Sequence, residues 1–306
     1  RIRTGQGGSP LPLPAAPMSP IASPGIPHGP DWVFQIKWDG VRTLARLDGN
    51  GGVELFSKRI ELCTDRYPEI SRLLEPVDTG PCVLDGEIVY FDGTKPNFQR
   101  GRLTARTKAK DRQLLYVVFD LLHDGREDLR PLPFSDRFNR LASKFPRKEP
   151  RLFVTDIYTD GEALWKWVEE RGWEGVVSKR IDSPYSEGKK HRDWYKKRKE
   201  IRLTADVVGI KLRDGRLASL ILSFEGRYIG HVSGLDAPSK AALETFMRQH
   251  PGVCPFPELA SEMRKYDIAW LAVPIPCRVA ALELTDSGLL RQPRLIGFGK
   301  ESATSS

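Results

Sequence analysis

Phe34-Gln35-Ile36-Lys37-Trp38-Asp39-Gly40-Val41-Arg42 carries the strongest pattern in this chain. Trp32, Phe34 and Ile36 alternate with Val33, Gln35 and Lys37, the two-residue period of a half-buried strand. Lys37 then falls on the face opposite the large apolar residues, one residue before a turn centred on Asp39-Gly40. A lysine at a strand end, followed by a carboxylate, a glycine and Arg42, suits attack on a phosphorus. The amine is the nucleophile and the guanidinium neutralises phosphate charge. Alone, Lys-x-Asp-Gly fits a surface lysine beside a hairpin turn better, and its weight comes from the segments downstream.

Those segments read as short strands and helices in alternation. Val41 to Leu47 is a strand leading to the turn at Asp48-Gly49-Asn50-Gly51-Gly52. Val83 to Phe91 alternates again, and Asp85-Gly86-Glu87 puts two carboxylates on one strand face. Leu115 to Leu122 is apolar except for Asp120, the mark of a strand buried on both faces, and Phe119 precedes that aspartate. Phe138, Leu141 and Phe145 mark a helix after Ser135. A second helix follows the capping-box pattern Thr159-Asp160-Gly161-Glu162 and closes at Gly172. Glu174-Gly175 then opens a strand that ends in Lys179, and Trp194-Tyr195-Lys196-Lys197-Arg198-Lys199 is the densest basic run.

After Arg202 the texture changes. Ala205 to Ile210, Ala218 to Phe224 and Tyr228 to Val232 read as strands, with turns at Asp214-Gly215 and Glu225-Gly226. A helix from about Pro238 to Gln249 and further strands to about Phe298 complete a set that suits a small barrel of the OB type. The expected organisation is a Pro-rich leader over 1–30, a first domain over 31–202 and a second over 203–306. The leader holds eight of the 24 prolines without a periodic pattern, so it is expected to be extended or disordered. Met18 is a candidate natural start, with 1–17 a linker.

With 306 residues the chain suits two domains, each with its own core. No apolar run approaches the ~18 residues of a membrane span. The four cysteines form no Cys-x-x-Cys pair, which argues against a zinc site and for a reducing cytoplasm. Any catalytic metal is therefore expected on carboxylates and phosphates, as magnesium is. The net charge is +8; residues 1–202 carry 36 Lys+Arg against 29 Asp+Glu, and residues 203–306 carry 12 against 11. The excess lies with the lysine motif and favours a polyanionic partner such as nucleic acid.

Taken in order, Lys37-x-Asp39-Gly40, Asp85-Gly86-Glu87, Phe119, Glu174-Gly175 to Lys179, Lys196-Lys197-Arg198 and Arg291-Gln292-Pro293-Arg294 resemble the six nucleotidyltransferase motifs of ATP-dependent DNA ligases and capping enzymes. Within that superfamily the chain looks most like the ligase domain of bacterial end-joining ligases of the ligase D type. Met18-Ser19-Pro20, Tyr185-x-x-Gly188 and Gly230-His231-Val232-Ser233-Gly234 add to the likeness, which runs from about Met18 to Lys300. The resemblance implies an α+β fold: an ATP-grasp-like adenylation (nucleotidyltransferase) domain followed by an OB-fold β-barrel. It implies that Lys37 takes AMP from ATP as a phosphoramidate, that AMP passes to a 5′-phosphate at a nick, and that the 3′-hydroxyl displaces it. By position, Lys37, Asp39, Arg42, Lys196 and Arg198 are the catalytic candidates. Gln35, Ile36, Glu87, Phe119 and Lys179 join Lys37, Arg42, Lys196 and Arg198 around the nucleotide. Glu87 and Glu174 are the candidates for Mg2+ or Mn2+.

The implied partners are nicked or broken double-stranded DNA, a Ku end-binding protein, and polymerase and nuclease activities on separate chains. The expected state is a monomer in the bacterial cytoplasm at the nucleoid. Several positions depart from the family pattern. Gln35 stands where a glutamate often meets the adenine amino group, Ser57-Lys58-Arg59 replaces a Ser-Arg pair, and Arg198 replaces a lysine. Gly299 sits where an arginine is usual, with Lys300 after it, so the first step is expected to be slow. Two rivals stand beside this reading: an RNA ligase or GTP-using capping enzyme of the same superfamily, and a nucleic-acid end-binding module that has lost catalysis.

Overall fold

The computed structural model describes residues 9–90 and 113–300. Phe91, the expected end of the Val83 strand, lies outside the described residues. The chain divides into two compact units, Arg1–Arg198 and Lys199–Ser306.

The first unit is built on two sheets. One has the order β1 (Ile21–Ala22), β10 (Trp194–Arg198), β9 (Gly175–Arg180), β2 (Trp32–Lys37). The other has the order β4 (Val53–Ser57), β3 (Gly40–Leu47), β5 (Cys82–Tyr90), β6 (Leu114–Asp124), β7 (Glu127–Asp128), and β8 (Leu152–Val154) pairs with β6 in parallel. Helix α1 (Pro68–Leu74) buries Ile70 and Leu74 in the core of this second sheet. Helix α2 (Phe134–Lys144) adds Leu141 to that core. Helix α3 (Gly161–Glu170) covers the first sheet, where Leu164 and Val168 pack with Phe34, Ile36 and Val176. Its N-cap is Asp160, whose side chain accepts from the Ala163 N–H. A four-residue capping box would have used Thr159.

Two expectations change here. β2 and β3 belong to different sheets, so the turn expected at Asp39-Gly40 is a crossover between sheets at Trp38-Asp39, and the alternative of a surface hairpin falls with it. Gly40 already pairs as a strand residue, and a Cβ there would run into the Ile88 carbonyl; the glycine serves close strand approach. The Pro-rich segment from Ser9 onward is also packed, not a loose leader. Met18 is fully buried, Ile26 is buried, and Ile21-Ala22 pair with Tyr195-Lys196. Its apolar side chains fill gaps at the sheet edge, and burial outweighs the irregular backbone that proline imposes.

The second unit is an antiparallel sheet of order β13 (Arg227–Val232), β12 (Arg216–Phe224), β11 (Ile201–Arg213), β14 (Asp267–Ala281), β17 (Arg294–Phe298). Helix α4 (Ala237–Gln249) places Leu243 in its core. A separate hairpin, β15 (Glu283–Leu284) with β16 (Leu290–Arg291), lies between β14 and β17 in the chain. Where a closed barrel is expected, the hydrogen-bonded sheet is open, with β13 and β17 as its edges.

Candidate functional site

Register across β2, β9 and β10 sets the site. Lys37 lies opposite Gly175, which lies opposite Arg198; Gln35 lies opposite Val177, which lies opposite Lys196; Val33 lies opposite Lys179, which lies opposite Trp194. Residues directly opposed in a sheet share a face. Lys37, Gln35, Lys196, Arg198 and Lys179 therefore project from one side, and α3 covers the other. Gly175, on the middle strand of the Lys37 row, lets the strands close, because a Cβ there would strike the Lys197 carbonyl. Ile36, expected beside the nucleotide, has its side chain in the core under α3 with Leu164 and Val176. Its odd-numbered neighbours hold the site face, so only its backbone remains on offer.

The Lys37 ammonium donates to Glu174 Oε1 at 2.6 Å, and Arg198 Nη1 reaches the same oxygen at 3.4 Å. Glu174 comes just before β9, at the level of the Lys37–Gly175 pair. Asp39 occupies the crossover immediately after.

The second sheet supplies the rest. Arg42 on β3 lies opposite Glu87 on β5. Arg42 donates Nε and Nη2 to the two oxygens of Asp85, at 2.6 and 2.7 Å, and Nη2 also to the Met18 carbonyl at 2.7 Å. Tyr185 Oη donates to Asp85 at 2.6 Å and accepts from the Met18 N–H. Burial alone would weaken the Arg42 charge; the Asp85 carboxylate more than offsets this and holds the guanidinium above its usual range. The two carboxylates of Asp85-Gly86-Glu87 thus separate in role. Asp85 clamps Arg42, whereas Glu87 makes no hydrogen bond among the described residues. Burial pushes the Glu87 carboxyl up to about 8, opposed by the Lys37 and Arg42 cations and reinforced by Glu174 and Asp85.

Phe119 joins the two sheets electrostatically. Arg42 lies 4.8 Å from its ring centroid and the Lys179 Nζ 4.6 Å. Lys179 also faces Trp194 at 4.0 Å and Phe134 at 4.9 Å. Burial among these rings brings its amine down to about 7; Asp120 and Asp85 pull upward, and Arg42 and Arg137 reinforce the fall.

Among the described residues no group of three or more His, Cys, Asp or Glu is placed to hold a metal. The pair Glu87 and Glu174 fits a hard divalent cation that takes its remaining ligands from phosphate and water. The Glu87 carboxyl, which makes no side-chain hydrogen bond among the described residues, is the observation that favours it. Sequence reasoning missed three supports of this site: the Met18 carbonyl, the Tyr185 hydroxyl, and the Phe134 ring beneath Lys179. Tyr185 lay in a quoted motif, but nothing local tied it to Asp85, 100 residues earlier.

Comparison with known proteins gives a consistent picture. The family described as "ATP dependent DNA ligase domain" matches residues 18–198. The "Multifunctional non-homologous end joining protein LigD" of Pseudomonas aeruginosa is 27% identical over 316 residues, covering 98% of this chain and 37% of that protein. The chain thus spans well under half the length of that relative. The crystal structure of the ligase domain from M. tuberculosis LigD superposes with a TM-score of 0.56 at 27% identity, covering 93% of this chain and 95% of that one. A mycobacterial DNA ligase D complexed with ATP and MES gives a TM-score of 0.52 at 28% identity, covering 94% and 96%. Among the described residues no helix is long and apolar enough to cross a membrane.

Proposed function

We infer the reaction from one premise: the chain belongs to the ATP-dependent DNA ligase domain family. It acts as an ATP-dependent DNA ligase that seals nicks or breaks through a lysyl-AMP intermediate, in bacterial double-strand break repair by end joining. The observation that carries this reading is the convergence of Lys37 and Arg198 on one oxygen of Glu174, beside the face shared by Gln35, Lys179 and Lys196.

Lys37 Nζ forms the bond to the ATP α-phosphorus and pyrophosphate departs with the broken bond's electron pair. The amine must first lose a proton, since a lysine of pKa ~10.4 is otherwise an ammonium at neutral pH. Arg198 and Lys196 on the same face stabilise charge on the phosphorus. Arg42, fixed by Asp85, offers a preoriented cation to nucleotide or nick phosphate, and Phe119 offers a ring to the base. Glu87 and Glu174 would hold Mg2+ or Mn2+, which neutralises phosphate charge when bound. AMP then moves from Lys37 to the 5′-phosphate, and the 3′-hydroxyl displaces it.

The second unit reads as an OB-type module closed by proximity and not by a continuous ladder. A Cβ at Gly230 on β13 would lie 3.9 Å from the Leu290 backbone on β16, which supports closure on that side. A Ku end-binding protein as partner, a monomeric state and a place in the bacterial cytoplasm complete the proposal.

Gel analysis of a nicked DNA duplex, a nicked RNA duplex and a 5′-diphosphate RNA, each with ATP or GTP and Mg2+, tests it. Joined DNA is expected. Joining confined to RNA, or transfer of a nucleotide to the diphosphate end, would hand the reading to the enzymatic rivals. No covalent chemistry on any substrate would hand it to the end-binding module.

A further inference from the structure

Arg42 belongs to a closed ring of hydrogen bonds. Its Nε and Nη2 donate to the two oxygens of Asp85, and Nη2 also donates to the Met18 carbonyl. Tyr185 closes the ring: its Oη donates to Asp85 Oδ2 at 2.6 Å and accepts from the Met18 N–H at 3.0 Å. The Met18 sulfur accepts from the Ser186 N–H at 3.2 Å, so this residue uses every polar atom it has on the same junction. The members come from distant parts of the chain: β3, β5, the segment before β1, and the loop between β9 and β10. Asp85, Met18 and Tyr185 are all buried. A guanidinium carries five N–H donors in a rigid fork. The ring engages Nε and Nη2, and Nη1 has no hydrogen-bond partner among the described residues. Nη1 is therefore the edge that Arg42 can offer to a phosphate, and the ring decides where that edge points.

We propose that Tyr185 is a positioning residue for the ligase reaction: through Asp85 and the Met18 backbone, its hydroxyl aims the Nη1 edge of Arg42 at the phosphate of the nucleotide or the nick. The proposal rests on the reading of Arg42 as a phosphate-binding cation. Tyr185 itself touches no reacting atom. Without its hydroxyl, Asp85 Oδ2 loses a donor and the Met18 N–H loses its acceptor, both where water cannot take their place. The carboxylate and the Met18 carbonyl are then free to turn, and the guanidinium turns with them. Burial and the Asp85 charge hold the Tyr185 phenol well above its usual range, so it keeps its proton and remains a donor at neutral pH. The ring of Tyr185 has a separate task. It packs edge-on against Trp194 at 5.9 Å and lies 5.7 Å from the Arg137 guanidinium. Phenylalanine preserves both contacts, so Tyr185→Phe removes the hydroxyl alone.

The test is a double-mutant cycle on rates. Single-turnover formation of the lysyl-AMP adduct and sealing of a pre-adenylylated nick are measured for wild type, Tyr185→Phe, Arg42→Lys and the double variant. All four are assayed at a temperature where circular dichroism shows each to be folded. Lysine keeps the charge but lacks the fork that can hold Asp85 and reach a phosphate at once. Arg42→Gln replaces it if Arg42→Lys does not fold. Tyr185→Phe should slow at least one of the two steps by about 10- to 100-fold, the effect of a lost hydrogen bond to a charged group. In the Arg42→Lys background the same substitution should change that step by less than about twofold, because the edge it aimed is gone. Equal slowing in both backgrounds overturns the proposal, since the hydroxyl would then act without Arg42. Wild-type rates in Tyr185→Phe also overturn it, since Asp85 alone would suffice. Wild-type rates in Arg42→Lys would show that Arg42 meets no reacting phosphate, which overturns the proposal and leaves the Lys37 chemistry intact. Failure of the wild type to form the adduct overturns the ligase reading, and this inference with it.

Discussion

Two charge clusters in the first unit are built in opposite ways. Arg137 and Asp120 are both fully inaccessible, and each demand is met. Arg137 donates to both Asp120 oxygens, at 2.9 and 3.0 Å, and to the carbonyls of Leu132 and Ser183. The cluster around Lys37 is partly open and incomplete. One oxygen of Glu174 serves two cations, Glu87 lacks a hydrogen bond among the described residues, and the Gln35 donor has no acceptor. A buried pair in which every donor and acceptor is met fixes a structure. An unsatisfied set carries a standing cost that a ligand can relieve. The contrast separates scaffold from site more sharply than burial does.

The contrast breaks most visibly at Arg137. Arg137→Met should leave the buried Asp120 carboxylate without its guanidinium, with the Leu121 N–H still donating to it, and cost about 3–5 kcal/mol in chemical denaturation. A loss below about 1 kcal/mol would mean that the pair is not the anchor described here. Gly175→Ala probes the join between scaffold and site. Its Cβ would meet the Lys197 carbonyl, a backbone atom that cannot move alone. A destabilisation of about 1–3 kcal/mol is expected, with slower adduct formation as Lys37 and Arg198 lose register. An unchanged melting curve would contradict the packing.

Gly299→Arg is weaker still. The position is expected to limit the first step, but Gly299 has φ +85°, a left-handed conformation, and its N–H bonds the Pro276 carbonyl. Arginine there should cost about 1–2 kcal/mol of strain. Restoring the family's residue should therefore speed adduct formation only at temperatures well below melting, leaving sealing of a pre-adenylylated nick nearly unchanged. Equal change in both steps, measured as single-turnover rates, would remove the first-step role.

A last effect concerns pH and is spread over several pH units. The folded chain keeps the Glu87 proton up to about pH 8, whereas an ordinary carboxyl loses it near 4.5. Across that window the folded state binds more protons than the unfolded one, so this group makes stability fall as pH rises, and its contribution is level outside the window. Glu87→Gln should flatten that fall by at most about 1.4 kcal/mol per pH unit, seen by denaturation at a series of pH values. A wild-type slope of the same size in the variant would place the titrating group elsewhere.

The site face was legible because alternation from Trp32 to Lys37 fixes which side chains leave the sheet together. The catalytic candidates on β9 and β10 could be ordered along the chain, but their rows across from Lys37 required register, which no local pattern contains. Asp120 stood out as the single polar break in an apolar run, yet its partner Arg137 looked like any charged residue on a helix. The Pro-rich segment misled because composition describes backbone freedom and says little about a buried Met18 or Ile26. The turn at Asp39-Gly40 misled for a related reason. Asp-Gly marks a change of direction, and a crossover between sheets changes direction as a hairpin does.

The central claim is that Lys37 carries the nucleotide. Peptide mapping after brief exposure to ATP and Mg2+ tests it most directly, with Lys37→Arg as the control that keeps charge and removes a usable amine. The AMP mass is predicted on the peptide containing Lys37 and on no other lysine, and absent from Lys37→Arg. An equally labelled Lys37→Arg chain, or a label on another lysine such as Lys179, would contradict the account.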